Sequence, residues 1–176
     1  MCAHKEQVRG FAKYNSEFNR RLFDQLSALS DDERKREMGA FFGSIHGTLN
    51  HILLADRIWL GRFAATIPAM SSLDGATVVH EFSSLRQELC AEFDELYAER
   101  RVTDQVISNW AEELSDDLLA GTMRYRNAQG SLREHLVWIA VAHMFNHQTH
   151  HRGQVTTLMY QLGHDPGVTD FVAYVQ

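Results

Sequence analysis

Apolar residues recur along most of this chain at steps of three and four, the spacing that gathers side chains on one face of an α-helix. From about His4 to Ala28, Val8, Phe11, Ala12, Phe18, Leu22, Phe23 and Leu26 keep those steps with charged residues between them, which predicts an amphipathic first helix. Ser30-Asp-Asp-Glu33 has the form of a capping box and opens a short helical turn. A second helix is expected from about Ser44 to Ala65. Its apolar residues, among them Ile45, Leu49, Ile52, Leu53, Ile58, Trp59 and Phe63, are enough to bury more than one side, so it belongs in the core. Residues 66–75, with Pro68 and Gly75, read as a loop in which Met70 and Leu73 cover the interior. The most regular stripe, Val78, Phe82, Leu85, Leu89, Phe93, Leu96 and Tyr97, predicts a third long helix from about Thr77 to Asn109 as plain core.

Beyond it, residues 110–120 have no clear period, and Gly121 to Gly130 reads as an extended turn or small hairpin closed by Gly130. Ser131-Leu-Arg-Glu134 has the form of a second capping box. It starts a fourth helix that runs to Leu162, where Gly163 stops it, with Gly153 inside leaving room for another helix or a ligand. The closing segment, Asp165 to Val175, is a turn and a short apolar run that packs back on the helices. Four long helices with connections between them describe an all-α fold, a four-helix bundle in one domain over residues 1–176.

Composition narrows the partners. A formal charge of −6 offers no basic surface for a phosphate backbone, so nucleic acid is not expected. The first residues carry no apolar signal region, and no apolar run is long enough for a bilayer, so a cytoplasmic protein without membrane contact is expected. Cys2 and Cys90 stand apart without a CxxC, which suits a reducing compartment; Cys90 reads as a small core residue and Cys2 as part of a frayed terminus.

The fourth helix carries the candidate chemistry. His143, His147 and His151 follow one another at steps of four and project from one flank. Imidazoles so spaced can share one cation, because side chains about 5–6 Å apart at Cβ are bridged by a metal that binds nitrogen at about 2.0–2.1 Å. The other reading is a polar helix face enriched in histidine. His51 lies on the second helix among Ile52, Leu53 and Leu54, an unusual place for an imidazole unless a backbone carbonyl or a metal binds it. His46, five residues earlier, reads as a surface or end-of-helix residue. Asp56 is a candidate to orient an imidazole from a neighbouring helix, with an ion pair to Arg57 or a surface arginine as the alternative.

Three stretches together resemble the DinB/YfiT-like superfamily of metal-binding four-helix proteins: Leu49-Asn-His51-Ile-Leu-Leu-Ala-Asp56-Arg, Asn146-His147-Gln-Thr-His-His151-Arg-Gly-Gln154 and Thr169-Asp-Phe-Val-Ala-Tyr-Val175. The resemblance spans nearly the whole chain. It implies an up-down-down-up bundle, a homodimer, and His51, His147 and His151 as three protein ligands of a divalent metal, zinc or nickel. His150 then lies beside the site and His143 one turn away. Characterised relatives include bacterial thiol-dependent transferases and isomerases that use low-molecular-weight thiols.

Three imidazoles leave a tetrahedral position for a substrate thiol or water, which implies a metal-dependent enzyme, an S-transferase or a related hydrolase acting on a small molecule. The alternative is a non-catalytic bundle in which the metal is structural or senses metal or stress. Gln148 stands where an HExxH metalloprotease carries its general base, which disfavours a peptidase. A base would come from His143, His150, Asp56 or Tyr125, and Arg152 and Gln154 are candidates for substrate contact. The residues assign no catalytic role among them.

Overall fold

Helix α1, Ala3–Leu26, is followed by a short α2, Asp31–Lys35, which starts at the expected cap: the Ser30 hydroxyl accepts from Glu33 N–H and the Glu33 carboxylate accepts from Ser30 N–H. The computed structural model describes residues 3–67, 70–75 and 77–175, so the readings of Cys2 and Pro68 fall outside the described residues. Helix α3 is Ile45–Thr66, α4 is Phe93–Glu113 and α5 is Asp116–Ala120. A hairpin of β1, Thr122–Arg126, and β2, Leu132–Leu136, precedes α6, Val137–Gln161. Among the described residues no helix is long and apolar enough to cross a membrane.

Contacts between named residues give the helix directions. Asn15 and Asn19 meet Asp104 while Lys5 reaches Glu112, so α1 and α4 are antiparallel. Asp56 meets Arg100 and Phe63 stacks on Trp110, so α3 and α4 are parallel neighbours. His51 meets His147 and Trp59 meets His143, which makes α3 and α6 antiparallel. Taken in chain order the four long helices run up, down, down, up. Parallel neighbours need a connection that returns the length of the bundle, and residues 67–92 supply it.

That connection corrects the third helix. The reading began it at Thr77, but residues 77–92 are irregular, α4 starts only at Phe93, and Leu85 is largely exposed. Polar groups of α3 bind the backbone of this segment. Asn50 Oδ1 accepts from the backbone N–H of Leu89 and Cys90, its Nδ2 donates to Cys90 O, and Val79 N–H donates to Arg57 O. At Gly61 a Cβ would fall 2.5 Å from Val79 O, so the close approach depends on glycine. His46 stands in the first turn of α3, as the end-of-helix reading has it, but it is buried and not on the surface, with Nε2 3.0 Å from Cys90 O, and Cys90 is buried as read.

The fourth helix begins later than its sequence signal. Ser131 caps nothing; Glu134 pairs across the hairpin with Arg124, and Asn127 Oδ1 accepts from Gln129 and Ser131 N–H around Gly130, whose φ is 76°. Local capping loses here to cross-strand pairing and a well-formed loop. The far end of α6 follows the reading. Gly163, at φ 87°, closes a Schellman turn in which His164 N–H donates to Met159 O and Gly163 N–H to Tyr160 O. Around Gly153 nothing lies within 4 Å of a Cβ position, so it accommodates no close neighbour. The C-terminal segment packs back through Phe171 and Tyr174 on Tyr14, and Tyr14 Oη donates to Thr169 O.

The core is divided. One apolar cluster gathers Trp59, Phe63, Trp110 and Val141, the other Phe18, Leu22, Leu53 and Val155. Between them a buried polar layer crosses the bundle: Asn15 and Asn19 from α1, Asp56 from α3, Arg100 and Asp104 from α4, Gln148 and Arg152 from α6. Arg100 pairs with Asp56 and Asp104, while Arg152 donates to Asn15 and Asn19 and lies over the Tyr14 and Phe18 rings. Two guanidinium groups face two carboxylates, so the layer is neutral overall.

Candidate metal centre

His51 leaves α3 about a third of the way along its length, and His147 and His151 leave α6 one turn apart. Their Nε2 atoms meet: His147 Nε2 is 3.1 Å from His51 Nε2 and 3.0 Å from His151 Nε2, and all three lie within 4.8 Å of one another. Nitrogen ligands at 2.0–2.1 Å around a tetrahedral ion stand about 3.3 Å apart, so the cluster could hold a metal ion. Among the described residues no fourth His, Cys, Asp or Glu joins them.

The outer nitrogens fix what faces inward. His51 Nδ1 lies 2.9 Å from Leu85 O, which only accepts, so Nδ1 carries the proton and Nε2 presents a lone pair. His151 Nδ1, 2.8 Å from Gln154 Oε1, is set the same way. The sequence alternatives for His51, carbonyl or metal, are therefore compatible, because each uses a different ring nitrogen. His147 Nδ1 is buried and has no protein partner. Phe42 stacks on His51 at a centroid distance of 3.8 Å and meets His151 edge-on at 5.5 Å, walling one side of the cluster.

Burial pushes His51 down to about 4 and His147 down to about 3, and it lowers His143 and His151 as well. Unfolded imidazoles titrate near 6.5, so between that value and the folded ones the unfolded chain binds protons that the folded chain refuses. Stability contributed by these groups is present above about 6.5 and is lost as pH falls. Burial raises Asp56, and raises Asp104 to about 6 against the pull of Arg100, which acts in the opposite sense below that value. The metal-free chain is expected to show a lower urea midpoint at pH 5.5 than at pH 7.5. An unchanged midpoint would mean either that the imidazoles are not buried as described or that Asp56 and Asp104 offset them, and Asp104→Asn, which removes one of the opposing groups, separates the two.

A cleft of about 570 Å³ adjoins the cluster, with His51 and His147 in its wall. Ala55, Ile58, Trp59 and Arg62 line it from α3, and the hairpin covers it with Tyr125 and His135. His143 belongs to this wall, its ring 5.0 Å from Trp59 and 6.1 Å from His147, as a neighbour of the three converging imidazoles. His150 is exposed on the outer side, its Nε2 3.3 Å from Gln154 Nε2.

Two candidate residues are corrected. Asp56 orients no imidazole; it is fully buried and its ion pair is with Arg100, itself buried on α4, rather than with Arg57 or a surface arginine. Arg152 is buried in the polar layer and does not line the cleft beside the imidazoles. Gln148 is buried too, near enough to Asp56 to help hold its charge. The sequence had offered Gln154 for substrate contact; its role in holding His151, and that of Leu85 O in holding His51, were missed. A glutamine three residues after a histidine was a signal available for the first, but a backbone carbonyl leaves none.

A family model described as the DinB family matches residues 1–176. "Protein DinB" of Bacillus subtilis (strain 168) is 25% identical over 167 residues, which cover 93% of this chain and 90% of that protein. With the whole length matched and the up-down-down-up bundle in place, the chain belongs to the DinB family.

Proposed function

We propose that His51, His147 and His151 bind one divalent metal ion and that the protein is a metal-dependent enzyme acting on a small molecule in the adjoining cleft. One observation carries this reading: two imidazoles fixed with Nε2 lone pairs inward face a third Nε2 within 3.1 Å, an arrangement that a shared cation stabilises. A divalent cation there supplies Lewis acidity and favours the ionised form of a thiol or of water. Leu85 O and Gln154 Oε1 hold two of the rings in the tautomer that ligation requires. His143 and the Tyr125 hydroxyl line the cleft and are the groups placed to hold or pass a proton. Trp59 and Ile58 limit water along one wall.

The cleft favours an enzyme over a structural or sensing metal, because a purely structural site is closed by a fourth protein ligand. A thiol-dependent transfer is the finer reading, with hydrolysis second. Zinc or nickel as the ion, a low-molecular-weight thiol as co-substrate and a homodimer rest on the family resemblance alone.

Elemental analysis of protein purified without an affinity tag is expected to give one zinc or nickel per chain. Metal-free protein resupplied with that ion should then consume a model electrophile with one of several cellular thiols. Full metal content without turnover by any thiol or by water would assign the non-catalytic role.

A further inference from the structure

Arg62 lies half-buried on α3, its guanidinium carbon 4.6 Å from the Trp59 ring centroid and 4.7 Å from that of Tyr125. Of the other buried or half-buried arginines, Arg57 has Glu99, Arg100 has Asp56 and Asp104, and Arg152 has Asn15 as oxygen partners, while Arg21 lies over the Phe18 and Tyr174 rings, away from this cleft. Among the described residues Arg62 has no carboxylate or carbonyl partner, only the two rings. It lines the cleft that His51 and His147 also line.

The rest of the wall points the same way. The chain carries a net charge of −6, yet among the described residues no Asp or Glu lines this cleft. Strand pairing sets Tyr125 opposite Arg133 and Met123 opposite His135, so one face of the hairpin directs Arg133 and His135 to the cleft. Its other face is neutralised locally by the Arg124–Glu134 ion pair. Arg62 therefore faces a space with added positive charge and no counter-ion.

From these observations, and resting on the cleft being a substrate site, we propose that the small molecule bound there carries an anionic oxygen group and that Arg62 binds that group. His51 and Arg62 stand eleven residues apart on α3, about 16 Å along the helix axis. The charge on the molecule is thus remote from its reacting atom, and Arg62 is a specificity and positioning residue. A guanidinium already held between two rings loses little freedom on forming a paired bond to a carboxylate, sulfonate or phosphate.

The test uses benzoate and its neutral counterpart benzamide, titrated calorimetrically into the full chain with and without zinc. Benzoate is expected to bind at least about tenfold more tightly than benzamide in both forms, and Arg62→Gln to lower benzoate affinity by about tenfold, with Arg62→Lys recovering part. Zinc content should not change in either variant. Should Arg62→Gln fail to fold, the salt dependence of the unaltered chain decides: added salt is expected to weaken benzoate and leave benzamide unchanged. Equal binding of the two probes, binding of neither, or full benzoate affinity in Arg62→Gln overturns the proposal. A chain that holds zinc but ignores benzoate loses only this inference, whereas one that binds benzoate but holds no zinc loses the metal reading instead.

Discussion

Arg100→Met is expected to destabilise the fold by about 3–5 kcal/mol, the range for removing one member of a buried ion pair. The cost comes from what remains. Asp56 is fully buried and Asp104 nearly so, and both face Arg100 at the centre of the bundle. Without the guanidinium each carboxylate must take up a proton or draw in water, and either disrupts packing between the two apolar clusters. Arg101→Met, one residue along and exposed, is expected to change stability by less than about 0.5 kcal/mol. Chemical denaturation of the two variants makes the comparison. A double variant with Asp56→Asn should recover part of the loss, since it removes one stranded charge, and if Arg100→Met unfolds at the same midpoint as the unaltered chain, the polar layer contributes nothing to stability.

His147→Ala is expected to reduce bound metal to below about one-tenth per chain, while His150→Ala leaves it unchanged. His147 Nε2 lies within 3.1 Å of the Nε2 of each of the others, so removing it leaves only two nitrogens, one from each helix, to hold the ion. His150 is next to His151 in sequence, yet its ring lies outside the cluster. Gln154→Leu should fall between them, weakening metal binding by roughly 10–100-fold, because it frees the His151 ring without deleting a ligand. Elemental analysis and competition with a chelator give the ordering. Far-UV circular dichroism should show all three variants helical, since none touches the buried polar layer. Retention of metal by His147→Ala would show that the ion, if present, is bound elsewhere.

The helices whose apolar residues face a core at regular steps were legible: α1, α3 and the later part of α6 keep close to their expected bounds, and Gly163 ends α6 as its left-handed backbone requires. Periodicity failed where a different partner claimed the backbone. Val78, Phe82, Leu85 and Leu89 keep helical spacing, but Asn50 and Arg57 bond to that segment's backbone and take it out of the helix. Ser131 and Glu134 form the pattern of a helix start, yet the pairing of Glu134 with Arg124 takes them into a hairpin. Neither outcome can be read from local spacing, since both are decided by residues tens of positions away or across a turn.

The candidate site divides in the same way. Spacing alone put His147 and His151 on one flank of a helix, and the apolar neighbours of His51 marked it as a buried imidazole that needed a partner. Which ring nitrogen faces inward, the burial of Arg152 and Asp56 in a polar layer, and the isolation of Arg62 beside the cleft came from packing. Helical spacing is a property of neighbours along one rod, so the chain order alone determined it. Hydrogen-bond partners and unmatched charge arise where several rods meet, and only the assembled bundle decided them.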